Sequence, residues 1–482
     1  MVYQDITARQ GEKKLLPRGY GVRVTTGERL YELFLRLRRA AERAWASPMY
    51  APALVALSAL FLFAGAPLGG CVVLGCLAVF QLLLCADLMA VLLPLLLYSI
   101  LATGFYGKYE PYIAQWPLYA AALAALILHL CWYPAAPAAA QRLSPSMEAV
   151  SAALLLGGLG SISAREYFSP VALYYTLGLG VGMLLCYRLF RSRLTRARSY
   201  DVLRRFLEIL YYTGVFTGLT VLAAYLTHAS SFLRNFAALY LPSRNMYAML
   251  LLMALPAACL PKANGGAHFG GLAFLYLSLL LTGSRSGLLF GTLLLGASLV
   301  YIYRRNPDRR RVYRIWALLA AIPASALIFL LARALFASRM TDGLLISAQD
   351  SRVTFFIQAL RDFMSNPAFG RGVGYMGNSS IFLRDSGCIV WYHNLFAQVL
   401  GSMGLVGAAA YGWHYVERLR LLLRKRGSLV AVAALSYAGM FLLSMTNPGE
   451  FCPLPNELLV VALFAIVESL PDKTKKNALD RK

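Results

Sequence analysis

Between residues 50 and 470 the chain is a succession of apolar runs separated by short polar breaks. The runs lie near residues 51–66, 70–85, 88–104, 118–134, 147–161, 170–187, 209–226, 245–260, 267–282, 286–303 and 315–334, then from His393 onward, and near 428–445 and 456–470. They do not alternate as barrel strands do, and they lack the polar face that a soluble helix turns to water. Most approach the roughly 20 residues that a helix needs to cross a hydrocarbon core of about 30 Å. The pattern predicts an all-α polytopic membrane protein with about 12 to 14 transmembrane helices, because the short early runs can fuse or re-enter.

Two segments depart from the pattern. The first 46 residues are polar and basic, with no early apolar stretch of the kind a cleavable signal has. Part of them, ERLYELFLRLRRAAERAW, reads as an amphipathic helix on the membrane surface. Residues 336–391 form a long polar segment, and within it 346–376 reads as an amphipathic helix followed by a turn. Asp350 or Ser351 can cap that helix, Val353, Phe356, Ile357, Leu360, Phe363 and Met364 form an apolar stripe, and Asn366-Pro367 ends it. The expected organisation is a tail (1–46), N-terminal membrane helices (47–240), a second membrane region (241–470) that contains the loop 336–391, and a short tail (471–482).

A composition that is 59% hydrophobic, with mean hydropathy +0.59, excludes a soluble domain of this length. The net charge of +24 does not point to nucleic acid, because the basic residues fall in the breaks: RSRLTRARSYDVLRR (191–205), RRNPDRRRVYR (304–314), RLRLLLRKR (418–426) and KTKK (473–476). By the positive-inside rule these breaks and both termini are cytoplasmic. The segment 336–391 and the start of the run at His393 then face outward. The turn NPGEFCPLP also falls outside, and so do Cys388 and Cys452, where a disulfide can persist.

The outward side is rich in arginine. A guanidinium binds phosphate bidentately and keeps its charge when desolvated, which suits an anionic lipid head group. In LTGSRSGLLF (281–290), Arg285 stands in a tight turn among small residues, either as a ligand-binding group or as a snorkelling anchor. Arg244 and Asn245 begin another outward helix end in LPSRNMYAML. Arg352 falls in the first turn of the amphipathic helix, a poor place for a cation unless it faces an anion that the helix terminus also attracts. The loop Gly370-Arg371-Gly372-Val373-Gly374 can cradle phosphate or simply make a turn. In YHNLFAQVLGSMG (392–404), His393 can be a cap, an interface anchor or a catalytic base, with Asn394 and Glu450 as candidates to orient its ring. Gly404 and Gly407, with Gly401 and Ala408, read as a helix-packing face.

Three of these elements occur in register: Ser284-Arg285-Ser286-Gly287, Arg352 through Asn366-Pro367 to Gly374, and His393-Asn394 through Gly404 to Gly407. Over about residues 240–420 the chain resembles the O-antigen ligase and polymerase superfamily of bacterial membrane glycosyltransferases. It departs from the family pattern in reading SRSG rather than SRG and in carrying Arg371 within FGRGVG. The resemblance implies a GT-C-like helical fold in the bacterial cytoplasmic membrane. It implies transfer of a whole glycan from an undecaprenyl-diphosphate-linked donor to a glycan, lipid or cell-wall acceptor at the outer face, with no metal and no cofactor. Arg285, Arg352 and Arg244 would then hold the diphosphate, His393 would activate the acceptor hydroxyl, and Arg371, Asn394 and Glu450 would support them. A repeat-unit polymerase with the same donor is the alternative. Transport of a lipid-linked glycan ranks last, because the charges gather at the outer ends and the two halves do not match.

The topology is checked by single cysteines in cells whose outer barrier has been opened. Cysteines near residues 345 and 380 are expected to react with an impermeant thiol reagent, and one near 308 is expected to stay protected. The reverse labelling pattern would put His393 on the cytoplasmic side.

Overall fold

The computed structural model describes residues 26–105, 110–133, 141–163, 170–194, 202–228, 241, 244–260, 266–315, 318, 325, 326, 329, 333, 351–374, 391–425, 427–447 and 449–470. Two compact units separate in it, Met1–Ser47 and Pro48–Lys482. In the first, α1 (Thr26–Ala46) is amphipathic, with Leu30, Tyr31, Leu33 and Leu37 exposed and Arg38 paired to Glu42 one turn on at 3.1 Å.

Among its described residues the second unit has helices as its only regular elements. Its first helices are α2 (Tyr50–Phe63), α3 (Pro67–Leu84), α4 (Met89–Leu101), α5 (Trp116–Trp132) and α6 (Ser144–Ser163). Next come α7 (Pro170–Leu177), joined by a π-helical turn to α8 (Met183–Arg193), and then α9 (Val202–Thr227), α10 (Arg244–Ala257), α11 (Gly266–Leu281) and α12 (Arg285–Arg305). After the amphipathic α13 (Ser351–Ser365) come α14 (Leu395–Arg424), α15 (Ser428–Ser444) and α16 (Leu458–Ser469); one-turn elements are left unnumbered. Among the described residues, five stretches are long and apolar enough to cross a membrane singly: α3, Ala172–Arg193, α9, α12 and α14. Shorter apolar helices stand beside them, including α5 and α15. Large apolar side chains such as Leu60, Phe80, Leu123, Leu289 and Leu293 are exposed on the flanks, as on surfaces that meet lipid. The chain is a multi-pass membrane protein.

The bundle has two distinct ends. At one, Arg193 donates to the last carbonyls of α5, His129 O and Leu130 O, while Arg191 pairs with Glu468 at 3.5 Å and Lys425 donates to Leu470 O. At the other, Thr103 meets Tyr247 (2.6 Å), Tyr225 donates to Leu281 O (2.8 Å), and Ser284 donates to Asn245 (3.3 Å). Basic residues therefore cap the helices that finish at the first end. The motif residues Arg244 and Arg285 begin helices at the second.

The region after residue 350 is organised by a break in α14. A continuous helix would bond Leu405 N–H to Gly401 O and Val406 N–H to Ser402 O. Both bonds are given up. Leu405 and Val406 donate instead to Pro367 O (2.8 Å) and Ala368 O (3.1 Å), and Gly401 O and Ser402 O accept from Arg371 N (2.9 Å) and Gly372 N (2.9 Å). The loop after α13 is thus spliced into the helix. Gly404 makes the break with φ 61°, and a Cβ there would lie 2.5 Å from Pro367 O. Gly370, at φ 67°, would meet Met403 N at 2.4 Å. These glycines are backbone requirements, so Gly404 is not the helix-packing glycine that the sequence suggested. Beyond the break, residues 405–424 suffice by themselves to span about 30 Å.

The apolar stripe expected on α13 is present and turned away from the rest of the protein: Val353, Phe356, Ile357, Leu360 and Met364 are exposed and Phe363 is half-buried, while Gln358, Ala359 and Asp362 are buried. The polar face is turned inward because α14 and the residues before it offer partners: Tyr392 donates to Asp362, and Gly401 lets Ala359 approach. Arg418, read as part of a solvated basic break, is buried against Glu450 and Glu457. The loops at 336–350 and 375–390 and most of the run 315–334 lie outside the described residues.

The splice predicts an asymmetric response to alanine. Gly404→Ala must leave φ 61° or push the loop away and is expected to lower the unfolding temperature of the detergent-purified protein clearly. Gly412→Ala, with open space around it, is expected to change stability by less than about 1 kcal/mol, in the stabilising direction.

Candidate functional site

His393 stands immediately before Asn394, the residue that precedes α14, and is the one described non-glycine residue with positive φ (52°). An L-residue held there costs of order 1–3 kcal/mol unless its surroundings fix it. Its two neighbours supply that fixing. The Tyr392 hydroxyl donates to Asp362 Oδ2 (2.5 Å) and its N–H donates to Gln398 Oε1 (3.0 Å). Asn394 is the N-cap of α14: its Oδ1 accepts from Ala397 N (3.0 Å) and its Nδ2 donates to Met445 O (2.8 Å). Asp362 also accepts from Gln358 (2.8 Å), and burial pushes its carboxyl up against the pull of these two hydrogen bonds and the Arg371 charge.

The ring itself is held by Asn447, whose Oδ1 lies 3.1 Å from His393 Nδ1. With an amide oxygen as partner, Nδ1 carries the hydrogen and the basic lone pair is on Nε2. Phe355 of α13 packs against the ring at 5.3 Å between centroids. The ring is therefore oriented by Asn447, where the sequence had suggested Asn394 or Glu450. Asn394 is occupied as a cap, and Glu450 accepts from Tyr415 and Arg418. Asn447 opens the turn NPGEFCPLP, and its place at the return of α15 to the helix beginning at His393 is the signal that could have found it.

A chain of contacts leads from this ring to the arginines. Two residues after Asn447, Gly449 packs so closely on Met249 that a Cβ would lie 1.8 Å from the sulfur. Asn456 donates to the same sulfur (3.3 Å). Met249 is in α10, whose first residue is Arg244, five positions earlier. Asn245 accepts from Ser284 Oγ, and Ser284 caps α12 by accepting from Gly287 N (3.2 Å), which sets Arg285 at the first position of that helix, exposed. Arg352 lies in the first turn of α13, three residues before Phe355. His393, Arg244, Arg285 and the start of α13 thus gather at one end of the bundle.

Other expected groups are placed differently. Arg371 donates from Nε to Ser365 Oγ (2.7 Å), and its N–H is engaged in the splice with that of Gly372, so these two loop amides are committed to α14 rather than to a phosphate cradle. Cys452 is a free thiol that donates to Leu454 O (2.9 Å). Cys388, Arg384 and the guanidinium of Arg352 lie outside the described residues. Among the described residues no group of three or more His, Cys, Asp or Glu is arranged to hold a metal ion.

No curated protein matches the chain. Residues 270–412 match a family model described as O-antigen ligase, a span that runs from α11 through the SRSG turn, the amphipathic helix, the spliced loop and His393 into α14. Over this segment, about 30% of its length, the chain is similar to the O-antigen ligase family.

Proposed function

We propose that this chain is a ligase-type glycosyltransferase of the bacterial cytoplasmic membrane, working at the outer face, with both termini in the cytoplasm. It moves a whole glycan from undecaprenyl diphosphate to an acceptor hydroxyl. Support comes from the contact chain that joins His393, through Asn447 and Met249, to the helix starts carrying Arg244 and Arg285. A base and two cations at one end of a bundle are what displacement from a diphosphate needs.

In this scheme the acceptor oxygen attacks the anomeric carbon, the bond from that carbon to the diphosphate oxygen breaks, and the leaving diphosphate takes the electron pair. Nε2 of His393 takes the hydroxyl proton, and Asn447 Oδ1 holds the Nδ1–H of the resulting imidazolium. Arg244, Arg285 and Arg352 stabilise the charge that grows on the leaving group. Arg371 and Asn394 act indirectly, the first by pinning the loop and the second by capping α14. No step calls on a metal or a cofactor.

Purified protein given lipid-linked glycan and acceptor tests the histidine. His393→Ala is expected to lose about a hundredfold or more in transfer while donor binding is retained. Asn447→Ala should lose less. Normal transfer by His393→Ala would remove the general base, and elongation of one lipid-linked repeat unit by another would identify the activity as polymerisation.

The arginines form a graded series. Arg285→Lys keeps the charge and loses the fork, so severe impairment is expected; Arg285→Ala and Arg352→Ala should be near inactive, and Arg384→Ala mild. Full activity in Arg285→Lys would rule out bidentate binding of the diphosphate.

A further inference from the structure

Away from His393, the bundle holds a buried cluster of three ionisable groups. Arg418 Nη1 donates to Glu450 Oε2 (3.1 Å), and its Nη2 donates to Glu457 Oε1 (2.8 Å). Arg418 is 3% exposed and Glu450 4%. The guanidinium is enclosed by the rings of Tyr415, Tyr437 and Phe464, 5.7, 5.6 and 5.2 Å from their centroids. Glu457 immediately precedes α16, which ends at the basic face, where Glu468 meets Arg191. The 12 residues of that helix rise about 18 Å, so Glu457 lies inside a hydrocarbon core of about 30 Å.

One guanidinium between two ionised carboxylates leaves an excess negative charge, which is costly in so dry a place. Three buried atoms of the cluster also lack a hydrogen-bond partner: Arg418 Nε, Glu450 Oε1 and Glu457 Oε2. All three residues line one cavity of about 20 Å³, together with Tyr411 and His414. That volume admits a single water.

The two carboxylates are not equivalent. Glu450 Oε2 accepts from both Arg418 and Tyr415 (2.8 Å), the environment of an ion, whereas Glu457 accepts only from Arg418. We propose that this cluster is a binding site for one proton and one water: the proton resides on Glu457, and the water joins Glu457 to Glu450 and Arg418. The water accepts from Glu457 Oε2–H and from Arg418 Nε–H and donates to Glu450 Oε1, which satisfies all three orphaned atoms. A monovalent cation in the same space would balance the charge but leave Arg418 Nε without an acceptor. The other titratable groups facing the cluster are Tyr411, Tyr415 and His414 on α14 and Tyr437 on α15; His414 is bonded to Ser146 (2.9 Å). The cluster is tied by the chain to the residue that holds the His393 ring, because Glu450 follows Asn447 by three residues in the same turn.

Infrared spectra of the full-length protein in lipid nanodiscs at neutral pH test the proton count. The wild-type spectrum should contain a protonated-carboxyl band, sensitive to D2O, that is lost in Glu457→Gln and equally in Glu450→Gln, where the remaining glutamate must ionise to balance Arg418. Each single variant should unfold near the wild-type temperature, and Glu450→Gln/Glu457→Gln, which strands Arg418 as an unpaired cation, should unfold well below it. If one single variant fails to fold, the spectrum of the other carries the same decision. A wild-type-minus-variant spectrum with no protonated-carboxyl band would overturn the proposal. So would an unfolding temperature that rises with sodium in the absence of that band, or a double variant as stable as the wild type.

Discussion

The exchange of backbone hydrogen bonds at Gly404 is the constraint on which the outer end of the molecule rests. A helix broken within a membrane protein exposes N–H and C=O groups that neither lipid nor apolar side chains can satisfy. Here two helical bonds are replaced by four bonds to the loop 367–372, so the break and the loop complete one another. The splice fixes α13 on the first part of α14. It thereby brings Asp362 to Tyr392 and Phe355 to His393. The strained backbone of His393 is held from both sides by consequences of the same arrangement.

The helical class and the division into apolar runs were legible because a membrane span needs only length and apolarity, both of which are local properties. The motif residues were legible as residue types, and the SRSG turn behaves locally as it reads, with Ser284 capping the helix that Arg285 begins. What the sequence could not show depends on distant partners. Gly404 reads the same whether it packs a helix or breaks one, and only the loop 34 residues or so upstream decides between them. The apolar stripe of α13 was legible but the side it faces was not, because periodicity fixes which residues share a face and not what that face meets. Asn447 escaped notice for the same reason: it reaches His393 across 54 positions of chain.

Charge was misjudged most where it is most consequential. Arg418 opens a basic run and Glu450 falls in a polar turn, so each reads as a surface residue. The turn after α15 instead runs back into the bundle, and a 12-residue final helix leaves Glu457 within it. Charged groups inside the membrane region remove one of the two sequence arguments against transport, while the lack of matching halves stands. The family match to 270–412 and the gathering of His393 with Arg244 and Arg285 favour transfer chemistry.

A cryo-electron microscopy structure of the full-length protein in lipid, with a non-hydrolysable lipid diphosphate glycan and an acceptor bound, measures the central geometry directly. The account predicts the acceptor hydroxyl within about 3 Å of His393 Nε2, with Nδ1 still on Asn447 and the diphosphate lying against Arg244 and Arg285. An acceptor hydroxyl remote from His393, or a diphosphate bound away from those two helix starts, would contradict it.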